Sequence, residues 1–247
     1  MSLLPAAARW TGFLEKYVLS LLFLKIAYDR ATGLGSLIGR MHEGYVLSPG
    51  SAEFGAVLVS VLTVLFGIFF GLNLLANTNP IQNPTRWREI VIPLVATFLL
   101  YAFAGLSPFV PEFMTRSLLP AGLQRSAAIA SILVSVVGYA IALWSVLYLG
   151  RSLSLVVSVR TIVRRGPYRS IRHPMYLGYI ILVSGFALAS PSLLAIALMV
   201  IYVVRTVARA RLEEDVLCAF SEEYRQHARR SGFLLPPLRR AARDQTP

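Results

Sequence analysis

Residues 164–178, R-R-G-P-Y-R-S-I-R-H-P-M-Y-L-G, join an arginine-rich polar segment to a run without charge, residues 174–204. The chain passes from water into an apolar medium at His173-Pro174, and a helix start is predicted there. Proline suits a first helical position because its missing N–H has no intrahelical partner to lose, and the residue before a proline is driven toward extended backbone. Gly166-Pro167 supplies an earlier break, and between the two breaks stand Tyr168, Arg169, Arg172 and His173. An aromatic ring, guanidiniums and an imidazole beside a helix N-terminus suit a ligand with anionic groups. A basic loop resting on lipid phosphates is the competing reading.

Outward from this stretch, composition sets the medium. Of 247 residues, 56% are hydrophobic and only 15% charged, where soluble domains carry ~25% charged residues. No charge occurs across 54–85, 90–111, 126–150 or 174–204, and a bilayer crossing needs ~20 mostly apolar residues. An integral membrane protein is predicted. Glu15, Lys16 and Lys25 interrupt the first apolar stretch, which is therefore expected to be retained and not cleaved as a signal peptide. The net charge of +12 points to the membrane surface and away from nucleic acid, because the arginines gather at the ends of apolar segments. A single cysteine, Cys218, excludes an internal disulfide and a cysteine-built zinc site, and histidines scattered at 42, 173 and 227 predict no metal centre.

Taken in order, a weak apolar helix is expected over 10–28, closed by Asp29-Arg30, followed by a Gly-rich stretch to 52 with no readable period. Strong spans are expected over 54–76, 89–110 and 122–150. The last is rich in small residues (Ser131, Ser135, Gly138, Ala142), which let helices approach closely in lipid. Arg151–Arg165 alternates Leu153, Leu155, Val157 and Val159 with polar residues and reads as an extended excursion. The run 174–204 would be ~46 Å long as one helix against a hydrocarbon core of ~30 Å. Ser190-Pro191 sits within it as an N-cap and first-turn proline, so a hairpin of two short helices, 174–188 and 191–205, is predicted. The hairpin keeps both arginine-rich flanks, 151–172 and 205–243, on the cytoplasmic side. The fold class expected is all-α integral membrane, with about six transmembrane helices including the C-terminal hairpin, then a cytoplasmic amphipathic helix. Both termini lie in the cytoplasm in this scheme.

That last helix is predicted over 205–230, with Leu212, Val216, Phe220 and Tyr224 as an apolar stripe and Arg209 and Glu213 sharing a face. An exposed pair of this kind contributes only a few tenths of a kcal/mol. The hairpin, however, returns Arg209 and Glu213 to the membrane surface that holds Tyr168 and His173.

The pattern G166-P-Y-(x)3-R172-H-P-x-Y176-x-G178, an apolar hairpin, and then R209-(x)3-E213-E214-(x)2-L217-(x)2-F220-(x)3-Y224 resembles the isoprenylcysteine carboxyl methyltransferase family, a relative of the phospholipid N-methyltransferases. The resemblance covers roughly 145–237, and it divides the chain into 1–120, N-terminal helices of unassigned role, and 121–247, a methyltransferase-like catalytic region. It implies S-adenosylmethionine as cofactor, bound at the cytoplasmic surface by Tyr168, His173, Pro174, Met175, Tyr176 and Glu213, and also by Thr161, Ile162 and Val163. It also implies that Arg209 is the catalytic residue and faces the acceptor's carboxylate. Ser221 stands where the family commonly has glycine, and His227 where it commonly has tyrosine.

Methyl transfer from a sulfonium needs positioning and electrostatics, not a metal or covalent nucleophile. The implied acceptor is an amphiphile entering from the bilayer: a prenylcysteine-like carboxylate, with a phospholipid amine or a thiol as the alternative. A transporter component is a different class of reading, disfavoured because 54–76, 90–110 and 126–150 lack ionisable side chains within the span apart from the tyrosines Tyr101, Tyr139 and Tyr148. A non-catalytic scaffold or a redox relative of the same membrane fold is the remaining one.

Overall fold

The computed structural model describes residues 10, 12–42, 52–78, 80–82, 84, 86–95, 111–189 and 191–237. Among these residues the architecture is all-helical, without strands and with two isolated bridges, Gln82 to Val159 and Ile171 to Gly232. A π-helical stretch, Leu14–Leu19, leads into α1 (Ser20–His42). It is followed by α2 (Ala52–Leu75), α3 (Ala121–Leu149), α4 (Pro174–Ala189), α5 (Leu193–Phe220) and α6 (Glu222–Arg230).

Three stretches are long and apolar enough to cross a membrane: Val57–Leu75, Ala121–Ser152 and Leu193–Phe220; Pro174–Ala189 is a shorter apolar helix. The sequence predicts about six crossings, and the described residues supply three helices that qualify. Of the span expected over 89–110, residues 88–95 are helical and 96–110 lie outside the described residues. α1 is the main correction at the N-terminal end, for it does not stop at Asp29-Arg30 but continues to His42. Charge marks where apolar surface ends, not where backbone hydrogen bonding ends. Lys25 pairs with Asp29 one turn on at 2.6 Å, and Thr32 and Ser36 each donate a hydroxyl to a carbonyl three residues back, so the polar turns remain helical.

α3 packs most extensively on α4, and small residues are the reason. Ser131, Ser135, Gly138 and Ala142 are all buried, as expected for a close contact. A methyl group on Gly138 would stand 2.6 Å from the Leu182 amide nitrogen, and one on Gly178 would stand 2.7 Å from that of Ala142. The two backbones touch where hydrogen replaces a side chain, the arrangement that compensates for the missing hydrophobic drive between helices in lipid.

Between α3 and α4 the chain makes a 3-10 turn, Gly150–Ser152, and then runs extended. Leu153, Leu155, Val157 and Val159 are buried, together with Val156. This segment is tied to the loop after α2: Ile81 N donates to Val159 O at 2.7 Å, Val159 N to Gln82 O at 3.0 Å, and Val157 N to Glu89 O at 2.9 Å. The excursion is thus an inner layer beneath the polar loop.

Two helix boundaries differ from expectation. α5 begins at Leu193 with Ser192 as its cap, its hydroxyl accepting from Ala195 N at 3.2 Å, so the Ser190-Pro191 cap is displaced by two residues; Ser190 itself lies outside the described residues. The helix expected over 205–230 is broken at Ser221, which adopts extended backbone and caps α6 by accepting from Tyr224 N at 3.2 Å. A serine can satisfy the first amides of a new helix, and it does so at the position where its family-like motif commonly has glycine.

Candidate functional site

Gly166 opens the motif loop with a φ of 58°, the left-handed region that favours glycine, and starts the 3-10 turn Gly166–Arg169. This turn drives Tyr168 inward to 8% exposure. Burial, and next the nearby Glu213 carboxylate, push the Tyr168 phenol well above its ordinary pKa, so it stays a neutral hydroxyl. α4 then starts at Pro174 as predicted, with His173, Pro174, Met175 and Tyr176 all buried.

The loop is held from behind by a segment that the sequence does not single out. Arg172 N donates to Gly232 O at 2.9 Å, His173 N to Phe233 O at 3.1 Å, and Gly232 N returns a bond to Ser170 O at 3.0 Å. The Arg172 guanidinium donates to the carbonyls of Ala228 and Ser231 and to the Glu214 carboxylate, and it lies over the Phe233 ring at 5.8 Å. His173 stacks on Tyr176 at 5.5 Å, meets Phe233 edge-on at 5.1 Å, and holds Nε2 3.3 Å from Glu214 Oε1 without a formed hydrogen bond. Glu214, to which the family-like pattern assigns no role, is therefore a structural partner of Arg172 and His173.

Glu213 faces the other way. The Tyr176 hydroxyl donates to Glu213, Arg209 Nε approaches the same oxygen at 3.2 Å, and the Arg209 guanidinium lies 5.3 Å from the Tyr176 ring centroid. Arg209 is only 5% exposed, and Nη2 donates to Leu155 O at 2.8 Å and Ser154 O at 3.4 Å. The pair is thus not the exposed helix salt bridge that its spacing alone allows. A buried guanidinium requires such a set of acceptors, since an unpaired buried charge is strongly destabilising.

Two cavities meet at this cluster. A cleft is lined by Thr161, Ile162, Val163, Tyr168, His173, Met175, Tyr176 and Glu213, so eight of the expected cofactor residues come together. Pro174 is fully buried at the helix start beside them. Ser154, Arg160, Arg172, Val216 and Tyr224 are among the other residues of the cleft wall. A second, larger chamber lies against aromatic and aliphatic side chains of α1 to α5, and Arg209 lines this chamber. Ser154, Met175 and Tyr176 line both, forming the wall between them. Sequence reasoning missed Ser154 and the α1 and α2 lining, because neither carries a motif. Tyr224 had a signal in the apolar stripe, whereas Phe220 of the same stripe is 45% exposed.

Residues 126–224 match the phospholipid methyltransferase family, which includes isoprenylcysteine carboxyl methyltransferase-like proteins. The matched segment contains α4, α5 and the wall between the two cavities. No curated protein matches the chain.

Proposed function

We propose that this protein transfers a methyl group from S-adenosylmethionine to an amphiphilic acceptor, the cofactor occupying the polar cleft and the acceptor the apolar chamber. The observation that carries this reading is the shared wall: a polar cleft lined by Glu213, Arg160 and Arg172 and a mostly apolar chamber lined by Arg209 have Ser154, Met175 and Tyr176 in common. When bound, S-adenosylmethionine supplies an electrophilic methyl on a sulfonium. The donor set of the cleft fits it. Glu213 offers a carboxylate for hydroxyl or ammonium groups, Tyr168 and His173 offer aromatic faces, and Thr161, Ile162 and Val163 form a rim.

The residues' own work is orientation. Tyr176 and Arg209 hold Glu213 in one rotamer, and Arg209 in turn is held by the carbonyls of Leu155 and Ser154. Arg209 also puts positive charge at the end of the chamber nearest the wall, which favours an acceptor with an anionic head such as a prenylcysteine-like carboxylate. A phospholipid amine or a thiol is the second acceptor class, and fits the same chamber. We place the cleft and both termini on the cytoplasmic side, following the arginine distribution.

The test is binding of labelled S-adenosylmethionine to purified protein, wild type against Glu213→Gln. The substitution removes a charge-assisted acceptor, and affinity is expected to fall by about tenfold or more, from ~1.5–3 kcal/mol of hydrogen bonding to a charged group. Folded wild-type protein that binds no S-adenosylmethionine overturns the proposal.

A further inference from the structure

The acceptor chamber is built in large part by helices that precede the matched residues 126–224. On α2 its lining residues are Val59, Ser60, Thr63, Phe66, Gly67 and Phe70, one face of the helix at successive turns. Phe66 stands within that row. Val59 lies seven residues before it, ~10 Å along the axis, and Phe70 lies four residues after it, ~6 Å. Its ring meets Phe70 one turn on along α2 at 5.3 Å and reaches two other helices, at 6.2 Å from Tyr139 on α3 and 5.9 Å from Tyr179 on α4. Tyr179 in turn is 6.4 Å from Tyr176, the ring beneath Arg209. A connected line of rings thus runs from the shared wall to Phe66, while beyond it the chamber continues to Thr63, Ser60 and Val59.

We infer that Phe66 is a specificity-determining residue, its ring setting how long and how bulky an apolar tail the chamber accepts once the head group is at the wall. The inference rests on the reading that this chamber holds the acceptor. A tail extending from the wall meets Phe66 before it reaches the distal part of the chamber. Phe66 is only partly buried and lies away from the cofactor cleft, so a change of its size acts on the tail and leaves cofactor contacts in place. A hydrophobic pocket discriminates modestly, ~10–200-fold for one methylene, and a change of ring size belongs to that range.

The experiment compares wild type, Phe66→Leu and Phe66→Trp in detergent or lipid nanodiscs. Labelled S-adenosylmethionine affinity is measured with methyl transfer to acceptors bearing carboxylate, amine or thiol heads, each in a graded series of tail lengths. Phe66→Leu is expected to move the preferred tail toward longer or bulkier chains and Phe66→Trp toward shorter ones, each by roughly tenfold in relative kcat/KM, with cofactor affinity equal to wild type. An unchanged ranking of tails in both variants overturns the inference while leaving the methyltransferase reading intact. Loss of cofactor affinity in both variants makes Phe66 a structural residue and overturns it too. Wild type that binds no cofactor and methylates no acceptor removes the methyltransferase reading, and the inference falls with it.

Discussion

Glu213 and Glu214 are neighbours in the chain, and ~100° of helical rotation between them gives each a different task. Glu213 joins Tyr176 and Arg209 at the wall of the cleft, whereas Glu214 is turned toward Arg172 and His173. The Arg172 side chain is only 12% exposed, so removing the charge of Glu214 leaves a guanidinium without its charged acceptor. Glu214→Gln is expected to lower stability by ~1–3 kcal/mol, with a smaller loss of cofactor affinity than Glu213→Gln. Unfolding midpoints in detergent measure the first and labelled-cofactor titration the second. Equal losses of affinity at the two positions mean that the faces of α5 have been assigned wrongly. Arg209 shows the same dependence on surroundings: its spacing from Glu213 is that of an ordinary surface pair, and only the carbonyls of Leu155 and Ser154 make it a buried anchor.

At the scale of elements, the contact between α3 and α4 decides where the motif loop sits, because α4 carries His173 and Tyr176 at its start. Gly138 and Gly178 allow that contact, each with no room for a methyl group against the opposing backbone. Gly138→Ala is expected to destabilise the protein by ~1–3 kcal/mol, because backbone must shift to relieve the overlap. Gly122→Ala on the same helix has nothing within 4 Å of the new methyl and is expected to leave stability unchanged or slightly raised. Thermal unfolding of the two variants side by side separates close packing from helix propensity. Similar midpoints would remove the close-contact account of α3 and α4. The segment after α6 is a second such element, since the carbonyls of Gly232 and Phe233 accept the amides of Arg172 and His173 and so hold the loop that lines the cleft.

At the scale of the whole molecule, the start of α4 lies beside residues 209–214 of α5, which brings the two arginine-rich flanks to one level. Accessibility tags placed near Arg165 and Arg230 are therefore expected to report the same side of the membrane, the cytoplasmic one. Opposite sides would separate the two halves of the candidate site and dissolve it.

Some of this was determined by sequence alone. The membrane character follows from composition, the start of α4 from His173-Pro174, and the small-residue face of α3 from its serines, glycine and alanine. The cleft residues from Tyr168 to Tyr176 were legible because they form one continuous motif, and Glu213 because the resemblance includes its spacing from Arg209. These are local signals, carried by residues within a few turns of one another. Tertiary structure decided the rest: that α1 and α2 wall the apolar chamber, that Ser154 stands in the shared wall, that Glu214 belongs to Arg172, and that Phe233 packs on His173. Each of those depends on which distant segment is packed against which. Periodicity reports only that a face is apolar or polar; its partner is chosen by the close approach of helices, and that choice exists only in the folded chain.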